Sequence, residues 1–142
     1  MPLWNIYHPV GAYDLETKTK ISETIVSFYP MLPPFYVGVV FHETPQDSLF
    51  ISGKPTQDFV RIAVDHIARQ FPDEDLAQKW LNHMAKSLAP FTEDLGYRWE
   101  AHFDETPFKL WRIQGFQPPL PDSEVERKWK ADDAASAYDP AS

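Results

Sequence analysis

The residue that could do chemistry most directly is Pro2, which follows the initiator methionine. Processing commonly removes a methionine that precedes proline, and the proline nitrogen is then a free secondary amine instead of an amide. A free α-amine titrates near pH ~7.7–8.0, and burial or a nearby cation lowers its pKa. Such an amine accepts a proton as a general base and returns it as a general acid. Pro2 is therefore the candidate catalytic residue, against the alternative that it has no chemical role.

Cationic residues that could bind an acidic substrate concentrate in one segment of the second half. Arg61 alternates with apolar neighbours, so it points to the opposite strand face, towards a pocket or a partner subunit. Arg69 precedes the acidic stretch 73–75, so a surface ion pair and a bidentate clamp on a substrate carboxylate are both open. His66 is either a structural histidine or a neutral donor to a substrate carbonyl.

Two aromatic residues and a second histidine extend the candidate site. Tyr36 and Trp111 form either pocket walls or a subunit interface. His102 lies in a predicted strand, where it is either a catalytic group on the sheet face or a structural residue. Glu43 and Glu105 occupy the same place in two similar turns and are most simply turn residues bonded to backbone.

Composition excludes several classes of function. The chain has no cysteine, which excludes disulfides and thiolate catalysis. Its histidines lack metal-ligand spacing, and it has no phosphate-binding loop, so we expect neither metal nor cofactor. A formal net charge of -8 argues against nucleic acid as the partner. Because no apolar run approaches the ~20 residues of a membrane span, we expect a soluble, cytoplasmic protein without membrane contact.

The elements that must position these residues are duplicated. The segment 41–45 (FHETP) returns 62 residues later as 103–107 (FDETP), which predicts two copies of one supersecondary unit. Strands are predicted at 3–7, 35–41, 59–66 and 99–103, with a short extra strand at 49–51 that corresponds to 110–113. Asp14 and Asp73 are predicted to cap the helices between them.

This order predicts an α/β (α+β) fold, a tandem β-α-β repeat that forms a four-stranded sheet with two helices on one face. The repeat occupies a domain at 1–119, with units at about 2–52 and 56–113. Residues 120–142 form a C-terminal tail with a short helix from Asp122 through Trp129. The tail packs on the body or on a partner through Val125 and Trp129, or it is mobile.

Several motifs together carry a family resemblance. They are Pro2-Leu3-Trp4, Ile6-Tyr7-His8-Pro9, Phe35-Tyr36-Val37, Phe59-Val60-Arg61-Ile62, His66-Ile67-Ala68-Arg69, Asp104-Glu105-Thr106-Pro107 and Leu110-Trp111-Arg112-Ile113. From Pro2 to about Pro119 the chain resembles the tautomerase superfamily, within it the branch of cis-3-chloroacrylic acid dehalogenase, and nearest a set of fungal and bacterial oxalocrotonate tautomerases.

The resemblance implies a homotrimer, an amino-terminal proline as acid/base, arginines that hold a substrate carboxylate, and no cofactor. The resemblance is only partial at the residues that would form the active site. Arg69 falls at the family's second arginine and His66 at its first, while Tyr29 takes the place of a helix histidine and His102 that of a tyrosine. The family's glutamate near Ile113 is missing, which places water activation in doubt.

Three hypotheses follow. The first is a keto-enol tautomerase, an isomerase that acts on a small 2-oxo or unsaturated carboxylic acid through Pro2, with the carboxylate and oxyanion held by Arg69, Arg61 and His66. The second is a catalytically degenerate tautomerase-fold binding or assembly protein. The third is a hydratase or dehalogenase of 3-haloacrylate-like acids, in which Glu105 or His102 replaces the usual water activator.

Overall fold

The computed structural model describes residues 2–141. Met1, with its predicted removal, and Ser142 lie outside the described residues. The strands are β1 (Leu3–Pro9), β2 (Gly38–Thr44), β3 (Phe50–Ile51), β4 (Lys54–Pro55), β5 (Phe59–His66) and β6 (Arg98–Glu105). The α-helices of the described chain are α1 (Leu15–Ser27), α2 (Glu74–Leu88) and α3 (Glu124–Asp132). Within residues 2–141, none of them is long and apolar enough to cross a lipid bilayer.

The main sheet has the strand order β2-β1-β5-β6. β1 and β2 are parallel, as are β5 and β6, because a crossover helix joins the strands of each pair. The two units meet through the antiparallel pairing of β1 with β5. This arrangement confirms the predicted four-stranded sheet and the tandem β-α-β repeat. The short strands β3 and β4 form a separate hairpin.

Both crossover helices begin at the predicted capping residues. The Asp14 carboxylate accepts from the Thr17 amide at 2.8 Å, and the Asp73 carboxylate accepts from the Leu76 amide at 2.8 Å. Each cap satisfies an amide that has no partner inside its helix, which stabilises the start of the helix. The two units therefore share an aspartate cap at the start of the helix as well as the order of their strands and helices.

The hydrophobic core lies between the sheet and the two crossover helices. Alternate β1 side chains are buried, and Trp4 contacts Phe28 after α1 and Trp80 on α2. Because successive side chains of a strand point to opposite faces, the remaining β1 residues face away from the helices. Tyr7 on that outer face is exposed, so one layer of helices covers one side of the sheet.

Two predicted strand segments are wrong in detail. Residues 35–41 do not form one strand, because the prolines at 33 and 34 start a 3₁₀ turn and β2 begins only at Gly38. In that turn the amides of Tyr36 and Val37 bond to the two proline carbonyls, which removes them from the sheet. The segment 110–113 is no counterpart of the short strand at 49–51, since it contributes only an isolated bridge between Ile113 and Phe116.

The predicted tail helix forms and packs on the body of the protein. Helix α3 buries Trp129 completely among core residues. The Asp133 carboxylate at its end accepts from the Phe35 amide, and Lys130 donates to the Pro30 carbonyl. Of the alternatives left open by the sequence, the structure shows the one in which the tail packs on its own chain.

Candidate active site

The register of β1 against β5 gives the sheet two related ends. Leu3 pairs with Asp65 and Tyr7 pairs with Arg61. Continuing this register by one residue places Pro2 opposite His66 at one end and His8 opposite Val60 at the other. We call them the Pro2 end, which comprises Pro2, Tyr29, His66, Arg69 and Phe71, and the Val60 end, which comprises His8, Tyr13, Val60, Leu88 and Phe91.

A cavity of about 500 Å³ opens at the Pro2 end. Aromatic rings form much of its wall, and Arg69, Lys79, His66 and His83 supply its basic groups. None of the residues found to line it is an aspartate or a glutamate, although the chain as a whole has a net charge of -8. Among residues 2–141, no group of three metal-ligating side chains converges anywhere. The lining therefore suits an apolar anion.

Pro2 itself is fully buried, and its carbonyl accepts from the Gly38 amide at 2.9 Å. It precedes Trp4 by two residues, so its ring points to the same sheet face as that tryptophan. His66 lies in the neighbouring strand with 4% of its surface exposed. The strand pairing thus brings the chain's candidate base next to the best-buried histidine of the cavity.

Hydrogen bonds join His66 to two other buried residues. The Trp4 indole N–H donates to the Tyr29 hydroxyl at 3.2 Å, and that hydroxyl lies 3.0 Å from His66 Nε2. Burial lowers the pKa of His66 to about 4, which keeps the imidazole neutral near pH 7. Burial also raises the pKa of Tyr29. Within the described chain, His66 Nδ1 is buried without a hydrogen-bond partner.

The predicted carboxylate clamp, Arg69, already holds a carboxylate of its own chain. Its Nη1 and Nη2 donate to the two Glu126 oxygens at 3.2 and 2.8 Å, and Nη1 also donates to the Ala68 carbonyl. Glu126 is almost fully buried and also accepts from the Asp122 amide at 2.7 Å. The acidic stretch 73–75 is not the partner, so Arg69 forms an ion pair with a residue other than those weighed from the sequence.

Tyr36 and Trp111 lie beneath helix α3 and not in the lining of the cavity. Their rings meet edge to face at 4.8 Å, and Tyr36 also contacts Trp129. Burial, followed by the Glu126 charge, raises the pKa of Tyr36. In the described part of the chain its hydroxyl has no partner. These two residues connect the Arg69–Glu126 pair to the core.

Arg61 and His102 lie on the outer face of the sheet. Arg61 Nη2 is 2.5 Å from His102 Nδ1, and the same guanidinium pairs with Glu100 at 3.2 Å. The other His102 nitrogen lies 3.1 Å from Asp104. The sheet separates this group from Pro2, so a single chain does not bring all the predicted site residues together.

The two glutamates predicted to lie in turns instead lie in strands, Glu43 in β2 and Glu105 at the end of β6, and they differ in their contacts. Glu105 accepts from the Phe71 amide at 2.9 Å, so the predicted bond to backbone is confirmed, and this bond fixes the segment that follows Arg69. Glu43 instead forms an ion pair with Lys18 at 3.7 Å. In the register, Glu43 is opposite His8 and Glu105 is opposite His66, so each repeat places one glutamate beside one buried histidine.

Sequence reasoning missed two residues that form hydrogen bonds with candidate site residues, Trp4 with Tyr29 and Glu126 with Arg69. Trp4 is a typical strand residue, and nothing local indicates that its N–H reaches Tyr29. Glu126 stands three residues after Ser123, a pattern typical of a helix capping box. The sequence therefore suggests a local role for Glu126 and gives no sign of its partner Arg69, 57 residues away. Ser123 does cap α3, by accepting from the Glu126 amide.

Comparison with known proteins agrees with this fold. The profile of the family described as "Putative oxalocrotonate tautomerase enzyme" matches residues 1–134. The structure of native RhCC from Rhodococcus jostii RHA1 is 40% identical, with a TM-score of 0.93 over 96% of this chain and 99% of that one. A probable enzyme from the thermophilic fungus Aspergillus fumigatus is 33% identical, with a TM-score of 0.92 over 97% and 98% of the two chains.

A more distant structure shares only the fold. N1, a member of the cis-3-chloroacrylic acid dehalogenase family, is 17% identical, with a TM-score of 0.71 over 89% of each chain. A comparison with curated protein sequences finds no match. Since the family profile spans nearly the whole sequence and two well-covered structures exceed 30% identity, the chain belongs to the oxalocrotonate tautomerase family of the tautomerase superfamily.

Proposed function

We propose that this protein is a cofactor-free tautomerase-like enzyme in which the Pro2 nitrogen acts as general acid and base on a small 2-oxo or unsaturated carboxylic acid. One observation carries the proposal. Continuing the register of β1 against β5 by one residue puts Pro2 opposite the buried His66, which lines the cavity, although Pro2 itself is not among the lining residues. Family membership supports the same reaction class, keto-enol isomerisation.

The step needs one proton and one base. With Met1 removed, the neutral Pro2 amine takes the hydroxyl proton of an enol and delivers a proton to the adjacent carbon, which leaves the 2-oxo acid. Negative charge grows on the oxygen as its proton leaves, and N–H donors or cations near that oxygen lower the barrier. Burial disfavours the protonated amine and so favours the base at neutral pH.

The cavity favours a substrate with an apolar body. A cavity of about 500 Å³ exceeds the needs of a three-carbon acid, and Phe28, Phe71 and Trp80 line it. Lys79 also lines the cavity and supplies a positive charge that suits a carboxylate, whereas the charge of Arg69 is already paired with Glu126. Phenylenolpyruvate combines an aromatic ring, an enol and a carboxylate, and is therefore the first substrate to assay.

The test compares enol ketonisation by three proteins whose amino termini have been verified by intact mass. The first lacks Met1, the second carries Pro2→Ala, and the third keeps an uncleaved tag that turns the Pro2 nitrogen into a tertiary amide. We expect kcat/KM to fall by about 10²–10⁴ in the second and third. Pro9→Ala, at the far end of the same strand, is the matched control and keeps the activity. Equal rates in all four proteins would remove the proposal.

A second candidate is a tautomerase-fold protein that binds ligands or partners without catalysis. The Glu126–Arg69 pair favours it, because a guanidinium held through both terminal nitrogens lacks its end-on face for a substrate carboxylate. Under this alternative, the protein without Met1 binds phenylpyruvate in the cavity, as measured by calorimetry, but does not ketonise the enol.

The expected assembly is a homotrimer. In the single chain the outer sheet face is open and carries Tyr7, Arg61 and His102, so a neighbouring copy would cover it. If His102 has a catalytic role, it would then act in a site that another subunit completes. Light scattering after size-exclusion chromatography tests the assembly, and a monomer at micromolar concentration would exclude that role.

A further inference from the structure

The Pro2 end contains a chain of hydrogen bonds that connects three fully or nearly fully buried side chains. Trp4 is 0%, Tyr29 5% and His66 4% exposed. The Trp4 N–H reaches the Tyr29 hydroxyl oxygen at 3.2 Å, and the same hydroxyl lies 3.0 Å from His66 Nε2. The residues come from β1, from the segment after α1 and from β5, so the chain depends on the tertiary fold.

The chemistry of the donors gives these bonds a direction. An indole N–H only donates, so the Tyr29 oxygen accepts from Trp4. The Tyr29 hydrogen then needs an acceptor, and the second partner found for this hydroxyl is His66 Nε2. If Nε2 accepts, the proton of the neutral imidazole is on Nδ1. The reverse tautomer would leave both the tyrosine hydrogen and Nδ1 unpaired, whereas this one leaves only the Nδ1–H.

We propose that Trp4 and Tyr29 are positioning residues that hold His66 in its Nδ1–H tautomer, so that this free N–H donates to the substrate oxygen that becomes negative during proton transfer. The inference rests on the proposed function and identifies His66 as its oxyanion donor. His66 lines the cavity, lies opposite Pro2 in the register, and has no partner at Nδ1 within the described chain.

The buried histidine at the Val60 end supports this assignment by contrast. His8 Nδ1 lies 2.9 Å from the Pro9 carbonyl, which only accepts, so the Nδ1–H of His8 is already used by the backbone. Among residues 2–141, the atom of the His8 ring that has no hydrogen-bond partner is Nε2. Both histidines therefore have the same tautomer, but only His66 keeps the N–H for a ligand. Burial lowers the pKa of both, which keeps them neutral.

The tautomer is tested by NMR on protein labelled with ¹⁵N-histidine, without substrate. We expect His66 Nδ1 to be protonated and Nε2 to be unprotonated, with the signal identified by its loss in His66→Asn. Tyr29→Phe removes the bond to Nε2 and should give a mixture of tautomers. Tyr13→Phe removes a buried tyrosine hydroxyl at the Val60 end and should leave the His66 signal unchanged. A His66 ring protonated at Nε2 in the wild type would overturn the proposal.

The donor role is tested by phenylenolpyruvate ketonisation. The side-chain amide nitrogen of asparagine lies the same number of bonds from Cα as Nδ1, whereas that of glutamine lies as far as Nε2. We expect kcat to fall by about 10²-fold in His66→Ala and His66→Gln, and His66→Asn to recover most of it. Tyr29→Phe should lower kcat by a smaller factor with little change in KM.

The outcomes separate this inference from the proposed function. Unchanged kcat in His66→Ala, with Pro2→Ala inactive, overturns the donor role and leaves Pro2 as the base. If Pro2→Ala is fully active, the proposed function fails, whatever tautomer NMR assigns to His66. Asparagine and alanine variants that fold equally well but are equally slow also contradict a donor at the Nδ1 position. Thermal unfolding of each variant verifies that it folds.

Discussion

The Pro2 end and the Val60 end of the sheet have the same framework and different openings. Each has a histidine buried between the sheet and the helices, opposite the glutamate of the repeated FxETP segment. At the Val60 end the remaining space is about 10 Å³, whereas at the Pro2 end it is about 500 Å³. Tyr13 helps to close the first, since its hydroxyl donates to the Phe91 carbonyl. One end is a packed core and the other contains an open cavity.

This contrast shows how a duplicated fold can produce one site. The repeat supplies strand exits, turns and buried histidines twice, and these features stabilise both halves. Under the proposed function, removal of Met1 would give the Pro2 end a free amine, whereas Val60, in the corresponding place of the second unit, is an internal residue with an amide nitrogen. The second unit contributes His66 and Arg69 to the same end. Under the proposed function, the active site would therefore depend on the differences between the repeats.

The largest effect is expected from a matched pair of leucines on helix α2. Leu88→Ala at the packed Val60 end leaves a cavity where the side chain is 2% exposed, and should lower the free energy of unfolding by about 2–5 kcal/mol. Leu76→Ala at the open Pro2 end truncates a side chain that is 47% exposed, and should cost less than about 1 kcal/mol. Urea unfolding measures both. Similar losses would contradict the description of the two ends.

The pH dependence of stability should show the buried histidine. Because the pKa of His66 falls from 6.5 to about 4 on folding, the unfolded chain binds a proton first as pH decreases. The free energy of unfolding should therefore fall between pH 6.5 and 4, by up to about 3 kcal/mol, with no further loss from this group below pH 4.

The control compares how two histidine variants change the pH dependence of the free energy of unfolding. His66→Asn should reduce the loss of stability between pH 6.5 and 4. His83→Asn, which replaces an exposed histidine at the same cavity, should not. A wild-type slope that is unaffected by His66→Asn would contradict a neutral, buried His66.

A smaller effect is expected from the ion pair between the tail and the cavity wall. Glu126→Gln removes the charge that holds Arg69, and should lower the free energy of unfolding by about 1–3 kcal/mol. It should also lower KM for a carboxylate substrate, because the Arg69 guanidinium loses its bidentate partner and is left with the Asp122 carboxylate at 3.7 Å. Glu124→Gln on the exposed side of α3 is the control and should change stability by less than about 0.5 kcal/mol. An unchanged KM would favour a purely structural role for this pair.

The sequence predicts the framework well because its signals are local and occur twice. The repeated FxETP turns, the caps Asp14 and Asp73, and the apolar strand at residues 59–66 indicate the order of elements, and the fold confirms it. The predicted strand at 35–41 failed because the prolines at 33 and 34 impose a turn whose amides bond within it. There, the β-branched and aromatic composition favoured a strand, but the turn used the backbone amides that a strand would need.

The site is harder to predict because its contacts join distant residues. Tyr29, His66 and Arg69 line one cavity, while the substrate-binding roles that the family resemblance implies for them stay predictions. The pairing of Arg69 with Glu126 and the bond from Trp4 to Tyr29 depend on how the tail and helices pack, and no local pattern reports them. Tyr36 and Trp111 fit a pocket by size, yet they lie under α3, where the tail covers them.

The most direct test of the account is the titration of the Pro2 nitrogen. Protein labelled with ¹⁵N-proline, with Met1 absent by intact mass, is followed by NMR from pH 5 to 9 while kcat/KM for enol ketonisation is measured over the same range. The account predicts an amine that titrates below pH ~8, and an activity that rises with its deprotonation. A Pro2 nitrogen that does not titrate, or an activity independent of its protonation, would contradict it.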